Sequence, residues 1–382
     1  MIWAARALWI SFIVLWVAGA SACDARGRSC RFGSDHAVYQ SASAELDAVE
    51  LVPRGAGVLA LFSDASGLYG RELDAHGLPR ARAARLGERC DAGLAAAVSG
   101  EALWLACARR AQPSDEEGAV SLYQLGIALE ERARFSPVGP HSRGVSLAHH
   151  AGAVSVAWQD AAVGGARIWY ASTARRAPVL LSDPGWFGSA PGLFSADKRL
   201  LALYAESQER NRSFDSRVRL LAGPESAGAS KAQTVGRAHD GSPSPDLVAA
   251  QDGLWLAFRD RRKGRRKTGL YLSRLTPQGR QVGAAVRVGR ADGVGRPRLC
   301  ACLGGLVAAT PRTFAGDYFV GVVHVDRALS QPSLEQQFYE DSHEFAQVAS
   351  ACLGSRMLLL ISERGRPGGG RAALRSVGFT CN

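Results

Sequence analysis

The sequence predicts an all-β fold assembled from about seven copies of one four-stranded sheet, and three observations carry the prediction. A short apolar run recurs along the chain at intervals of 45 to 54 residues. Between these runs lie further segments of four to eight apolar or β-branched residues, punctuated by Gly, Pro and Asp, the pattern of strands joined by turns. Beyond the first 22 residues, no segment carries the 3.6-residue periodicity of an amphipathic helix. At 382 residues, 47% hydrophobic and 21% charged, the chain is ordinary globular material, which excludes wholesale disorder and collagen-like sequence.

The chain opens Met-Ile-Trp-Ala-Ala-Arg6, runs apolar from Ala7 to Ala20, and then reads Ala20-Ser21-Ala22-Cys23. A basic head, a short apolar stretch and an Ala-x-Ala site form an export signal over residues 1–22. The stretch is shorter than the roughly 20 residues of a spanning helix, and no later apolar run reaches that length. Cys23, directly after the small residues, resembles the lipobox cysteine of bacterial lipoproteins, with Ala20 where that family prefers Leu. The resemblance implies diacylation of Cys23 and membrane attachment through the lipid; free secretion and an uncleaved anchor stay open beside it. Export places the eight cysteines in an oxidising compartment. With Cys23 lipidated, seven remain and one thiol is spare; otherwise four disulfides are arithmetically possible.

Residues 23–45 precede the repeats, and 46–382 reads as a single domain. Its units are marked by Val58–Phe62, Leu103–Cys107, Val154–Trp158, Leu200–Tyr204, Leu254–Phe258, Leu306–Thr310 and Met357–Ile361. The fifth unit is the clearest. Pro245–Ala250 leads to a turn at Gln251-Asp252-Gly253, then Leu254–Phe258, a charged loop, Thr268–Leu275, a Pro277-Gln-Gly279 turn and Val282–Val288. Nearly continuous apolarity requires burial on both faces of each sheet. Sheets stacked face to face around an axis satisfy it, so the unit is a propeller blade. Seven blades fit the period, and six and eight stay open. The last unit has a strand at Ala372–Val377 and little after it, so His36–Ser43 is expected to supply its outer strand. Cys30 and Cys381 then latch the two chain ends. Cys90 with Cys107, and Cys302 with Cys352, are the other candidate pairs, which leaves Cys300 over.

The balance of 46 basic to 35 acidic residues gives a net charge of +11. Only Lys198, Lys231, Lys263 and Lys267 are lysines, so the excess is arginine, as a GC-rich genome produces without selection for binding. The chain contains no Gly-x-Ser-x-Gly elbow, phosphate loop, His-Glu-x-x-His or Ca²⁺ loop. Neither a catalytic set, nor a cofactor, nor a metal site is expected. His149 and His150 are adjacent, point to opposite faces of a strand, and are read as structural or solvated. The polar residue two positions after each apolar run begins a loop: Asp64, Arg109, Asp160, Glu206, Asp260, Arg312 and Glu363. Such a residue also serves simply to end a strand as it leaves the core. Arg259-Asp-Arg-Arg-Lys-Gly-Arg-Arg-Lys267 is the most unusual loop, with basic Arg259, Arg261, Arg262, Lys263, Arg265, Arg266 and Lys267. Its charge suits phosphate, an acidic glycan, a lipid headgroup or an envelope protein, and its simplest reading is a solvated hairpin tip. It lacks the interleaved aromatics that stack bases, so nucleic acid is not expected.

The repeat resembles the exported bacterial β-propellers that include the sialidase-like group, in architecture and hydrophobic pattern over nearly all of the mature chain. The Asp-box of sialidases, Ser-x-Asp-x-Gly-x-x-Trp, is absent: Ser195-Ala-Asp197 continues Lys198-Arg199-Leu200. The Gly-His and Trp-Asp pairs of WD repeats are absent too. The resemblance implies that the loops after the second strands share the ligand face, with Asp64, Asp160, Asp260 and the basic loop as candidate contacts. The expected function is non-catalytic binding at the bacterial cell envelope. A glycan-processing enzyme, with carboxylates that converge only in three dimensions, is the alternative.

Overall fold

The computed structural model describes residues 22–23 and 29–381, less 101, 110–119, 127–128, 130, 136–141, 161–164, 176, 197, 211–212, 225–231, 240–242, 262–267, 292–295, 303, 315–316, 330–334, 340–343 and 366–369. Seven antiparallel sheets contain all the main strands, each ordered from an inner to an outer strand. Blade 1 is Ala48–Arg54, Gly57–Asp64, Gly67–Leu73 and Ala84–Gly87. Blade 2 is Gly93–Ser99, Ala102–Ala108, Val120–Leu125 and Glu131–Phe135. Blade 3 is Ser142–His150, Ala153–Asp160, Arg167–Ser172 and Val179–Leu180. Blade 4 is Phe187–Ala196, Arg199–Arg210, Ser213–Ala222 and Gln233–Ala238. Blade 5 is Asp246–Ala250, Gly253–Asp260, Gly269–Leu275 and Gln281–Arg290. Blade 6 is Arg298–Cys302, Gly305–Phe314, Asp317–Val325 and Gln336–Tyr339. Each inner strand touches the next, and the seventh returns to the first, so the sheets form a closed ring.

The recurring apolar runs are the second strands. Phe62, Cys107, Trp158, Tyr204, Phe258, Thr310 and Ile361 are all buried there. Gly57–Asp64 is buried at every position, as a strand with a neighbouring blade on each face must be. The core therefore lies between blades. Phe258 packs on Leu203 and Val218 of blade 4, and Phe62 on Leu358 and Leu360 of blade 7. Burying one such side chain contributes about 1.5–3 kcal/mol. Turns between strands are tight: a Cβ at Gly253, whose φ is +131°, would lie 2.7 Å from the carbonyl oxygen of Leu275.

Blade 7 takes Glu344–Leu353, Arg356–Arg364 and Ala373–Cys381 from the C-terminus and its outer strand, Ser29–Gln40, from the N-terminus. That outer strand is longer than the sequence suggested. It begins ahead of His36 and stops before Ser41, because pairing runs from Cys30 opposite Cys381 to Gln40 opposite Ala373. Ala22–Cys23 adds a two-residue strip outside it. Disulfides join Cys30 to Cys381, Cys90 to Cys107 and Cys302 to Cys352, and Cys300 is a buried free thiol. Among the described residues there is no α-helix.

Candidate functional site

In a four-stranded meander, the turn after the second strand and the connection to the next blade fall at the same edge of the sheet. That edge of the ring carries the polar column from Asp64 to Glu363. Asp64 is buried and accepts hydrogen bonds from Ser41 Oγ at 2.5 Å, Ser66 Oγ at 2.5 Å, the Ser66 amide at 2.8 Å and Tyr39 Oη at 3.1 Å. Burial pushes its carboxyl up, but the hydrogen bonds from Ser41, Ser66 and Tyr39 outweigh burial and hold it below the usual range. Tyr39 is pushed up to about 12, by burial first and then by the Asp64 charge.

Glu206 is fully buried; it accepts the Asp183 amide at 2.6 Å and pairs with Arg217 at 2.8 Å. Arg217 lies over the Trp186 ring at 3.8 Å. Asp260 accepts the His239 amide at 2.8 Å. Asp183 and His239 sit in the connections leading into blades 4 and 5, so these carboxylates tie each blade-to-blade connection to a second strand. Glu363 pairs with Arg375 at 2.6 Å, Arg312 with Glu335, and Arg109 with Glu88.

Asp160 is partly buried opposite Arg167 on the neighbouring strand. Arg259 is partly buried, and its amide donates to the Pro243 carbonyl at 2.8 Å. Arg261 is exposed. Arg262, Lys263, Arg265, Arg266 and Lys267 lie outside the described residues. The backbone of Cys23 pairs with Ser29. His150 Nδ1 lies 3.0 Å from Ser195 Oγ of the next blade.

The centre of the ring carries charges that the sequence analysis did not single out. One inner-strand residue in each blade pairs with the residue just before the buried column: Glu50, Ala95, Ser146, Gly192, Asp246, Arg298 and Ala349. They form one level of the channel wall. Arg298 donates through Nε to the Val348 carbonyl at 3.0 Å, and its Nη2 lies 3.4 Å from Glu50. Arg296, two residues earlier, reaches the Pro191 carbonyl at 3.2 Å and Asp246 at 3.4 Å. Asp246 also accepts the Leu299 amide at 2.7 Å, as Ser146 accepts the Leu193 amide at 2.8 Å.

Inner strands have an unpaired edge facing the channel, so side chains from neighbouring blades must satisfy those backbone groups. The two arginines thus bridge blades 6, 7 and 1 on one side and 4, 5 and 6 on the other. Burial opposes the charge on both. On Arg296 burial prevails and lowers its pKa; on Arg298 the attraction of Glu50 and Asp246 prevails and raises it. Cys300 lies in the same region, with Sγ 3.6 Å from Ser350 Oγ. Burial first, then Asp246, pushes its thiol up to about 11.

A signal for the central charges is present in the repeat. Carrying the column back across the hairpin to the first strand finds a small residue in four units and Glu50, Asp246 and Arg298 in units one, five and six.

No family model matches the chain, and no curated protein matches it. Among solved structures, it is similar to the polysaccharide lyase Uly1 at 10% identity, with a TM-score of 0.54 over 87% of this chain and 89% of the other. It is similar to the Kuenenia stuttgartiensis hydrazine synthase at 12% identity, with a TM-score of 0.51 over 82% of this chain and 92% of the other. A subtype N10 neuraminidase-like protein of A/little yellow-shouldered bat matches at 9% identity and a TM-score of 0.45, over 76% of this chain and 92% of its own. The first two likenesses are of fold alone. Together with the ring of sheets, they make this chain a seven-bladed β-propeller, a fold that serves enzymes and binding proteins alike.

Proposed function

We propose that this chain is an exported, non-catalytic binding propeller of the bacterial cell envelope. Its ligand face is the edge bearing the loops after the second strands. The ligand is anionic: an acidic glycan, a lipid headgroup, or an envelope protein with an acidic surface. The observation that carries the reading is the engagement of the central carboxylates. Glu50 and Asp246 each face an arginine at 3.4 Å, and Asp246 also accepts a backbone amide. Both carboxylates are thus engaged by groups of this chain, whereas glycoside hydrolysis needs a pair of carboxyl groups directed at a substrate. At the outer edge, Asp64, Glu206 and Asp260 hold connections together, and the basic run from Arg259 to Lys267, read from the sequence as a loop of this edge, is the segment we assign to the ligand. The disulfides are compatible with export, and the opening segment supports an export signal with lipidation at Cys23.

Glycan processing is the second reading, favoured by two carboxylates and two arginines gathered at one channel. The fold likeness to a polysaccharide lyase belongs with it. Polygalacturonate and heparin separate the two readings, with binding measured by calorimetry and chain length by gel filtration after prolonged incubation. The binding reading expects saturable association with unchanged chain length, in wild type and in Glu50→Gln and Asp246→Asn alike. Chain shortening that either substitution abolishes would replace it with the enzymatic reading.

A further inference from the structure

The latch that closes the ring has a third chemical group beside it. His324, on the third strand of blade 6, is only 3% exposed, and it is the one fully buried histidine among the described residues. Its ring nitrogen and the Sγ atoms of Cys30 and Cys381 lie within 4.8 Å of one another, and no other such group of potential metal ligands occurs among the described residues.

The repeat explains how a histidine came to be there. His324 pairs with Val307, and the corresponding third-strand positions in blades 1, 2, 3 and 5 hold Glu72, Gln124, Ser172 and Arg274. A polar residue is therefore usual at this register. In blade 6 it is covered by the interface with blade 7, where Cys30, Phe32, Phe338 and Phe379 pack. The other two disulfides, Cys90–Cys107 and Cys302–Cys352, have no histidine within such a distance among the described residues.

We propose that the reduced form of this latch is a zinc site. An external dithiol or phosphine supplies two electrons, and two protons are taken up, converting the Cys30–Cys381 disulfide to two thiols. Zn²⁺ then displaces those two protons and binds both thiolates and the neutral His324 imidazole, with water completing four-coordination. Two sulfurs and a nitrogen are donors suited to Zn²⁺, and once reduction breaks the sulfur–sulfur bond the two thiolates have to part to only about 3.8 Å, the separation that tetrahedral Zn–S bonds of about 2.3 Å set. The two chain ends can thus be joined through sulfur–sulfur or sulfur–zinc bonds. This departs from the expectation, drawn from the sequence, that the chain holds no metal ligand set; the three ligands come from opposite ends of the chain, and no local spacing announces them.

The test uses the full chain, reduced with a phosphine and then freed of it under anaerobic conditions. Co²⁺ is titrated as a spectroscopic probe, and Zn²⁺ is scored by protection of individual cysteines from alkylation, mapped by mass spectrometry. One equivalent of Co²⁺ with thiolate charge-transfer absorption is expected. Zn²⁺ should protect Cys30 and Cys381 together. His324→Gln keeps every thiol and should lose that equivalent and that protection. The Cys302→Ser/Cys352→Ser variant should retain both. Metal that fails to protect Cys30 and Cys381, or protects them equally in His324→Gln, overturns the proposal. So does a reduced chain that takes up no metal.

Discussion

Replacing Cys30 and Cys381 by alanine removes the covalent closure of the ring and leaves the pairing of Ser29–Gln40 with Ala373–Cys381 in place. That disulfide spans a sequence separation of 351 residues, whereas Cys90–Cys107 spans 17. Restricting the unfolded chain grows with the logarithm of loop size. The chain-entropy relation gives about 6 kcal/mol for the long loop and about 3 kcal/mol for the short one, a difference of about 2.7 kcal/mol. Comparing the two double alanine variants isolates that difference, because each removes two sulfur atoms and Cys30, Cys90 and Cys107 are all buried. Equilibrium unfolding in guanidinium chloride, followed by tryptophan fluorescence, measures both. The latch variant should be the less stable by about that margin. Limited trypsin digestion should also cut first at exposed Arg31, beside the freed end of the strand. Equal losses in the two variants, or a larger loss from the Cys90–Cys107 pair, would refute the argument that the latch acts by closing the ring.

Three further outcomes follow from named groups. The Asp64 carboxyl is held below its ordinary value of about 3.9, so its contribution to stability is complete above that pH and is lost as pH falls through the lower folded-state value. Asp64→Asn should cost about 1.5–3 kcal/mol at pH 7, and the gap from wild type should narrow in urea unfolding at pH 3. Cys300, with its thiol pushed up to about 11, holds roughly a thousandth of its population as thiolate at pH 8. It should resist a thiol-specific chromogenic reagent in the native protein and react promptly in denaturant; fast native reaction would contradict the buried position. If Cys23 carries a lipid, metabolic labelling with a fatty acid should mark the chain, and Cys23→Ala should abolish the label.

The fold was legible because burial on both faces of a sheet writes itself into the sequence as apolar runs, and a repeated unit writes those runs at a repeated spacing. Phe62 and Phe258, with Gly67-Leu-Tyr69 and Gly269-Leu-Tyr271 following them, announce the same strand and hairpin in blades 1 and 5. The latch was legible because Cys30 and Cys381 stand at opposite ends of a chain that must close. The central charges were hidden for a physical reason. Inner strands line a channel, so Glu50, Asp246 and Arg298 interrupt the apolar pattern as single residues, and their partners lie in other blades. Glu206 and Asp260 look on sequence alone like any acidic residue at the start of a loop. Only the Asp183 and His239 amides, from connections more than twenty positions away, show that they hold the ring together.

We propose that this ring captures anions through its basic loop. Binding of vesicles containing phosphatidylglycerol, measured across a range of salt concentrations, tests it most directly. The comparison is between wild type and a variant with Arg261, Arg262, Lys263, Arg265, Arg266 and Lys267 replaced by glutamine. The sequence reads the substituted residues as a hairpin tip, which contributes little to a core, so the unfolding midpoint should be unchanged. Wild-type binding should weaken steeply as salt rises, since exposed charges are screened over about 10 Å at 0.1 M. The variant should bind far more weakly and show little salt dependence. Equal binding by both proteins, insensitive to salt, would contradict the claim.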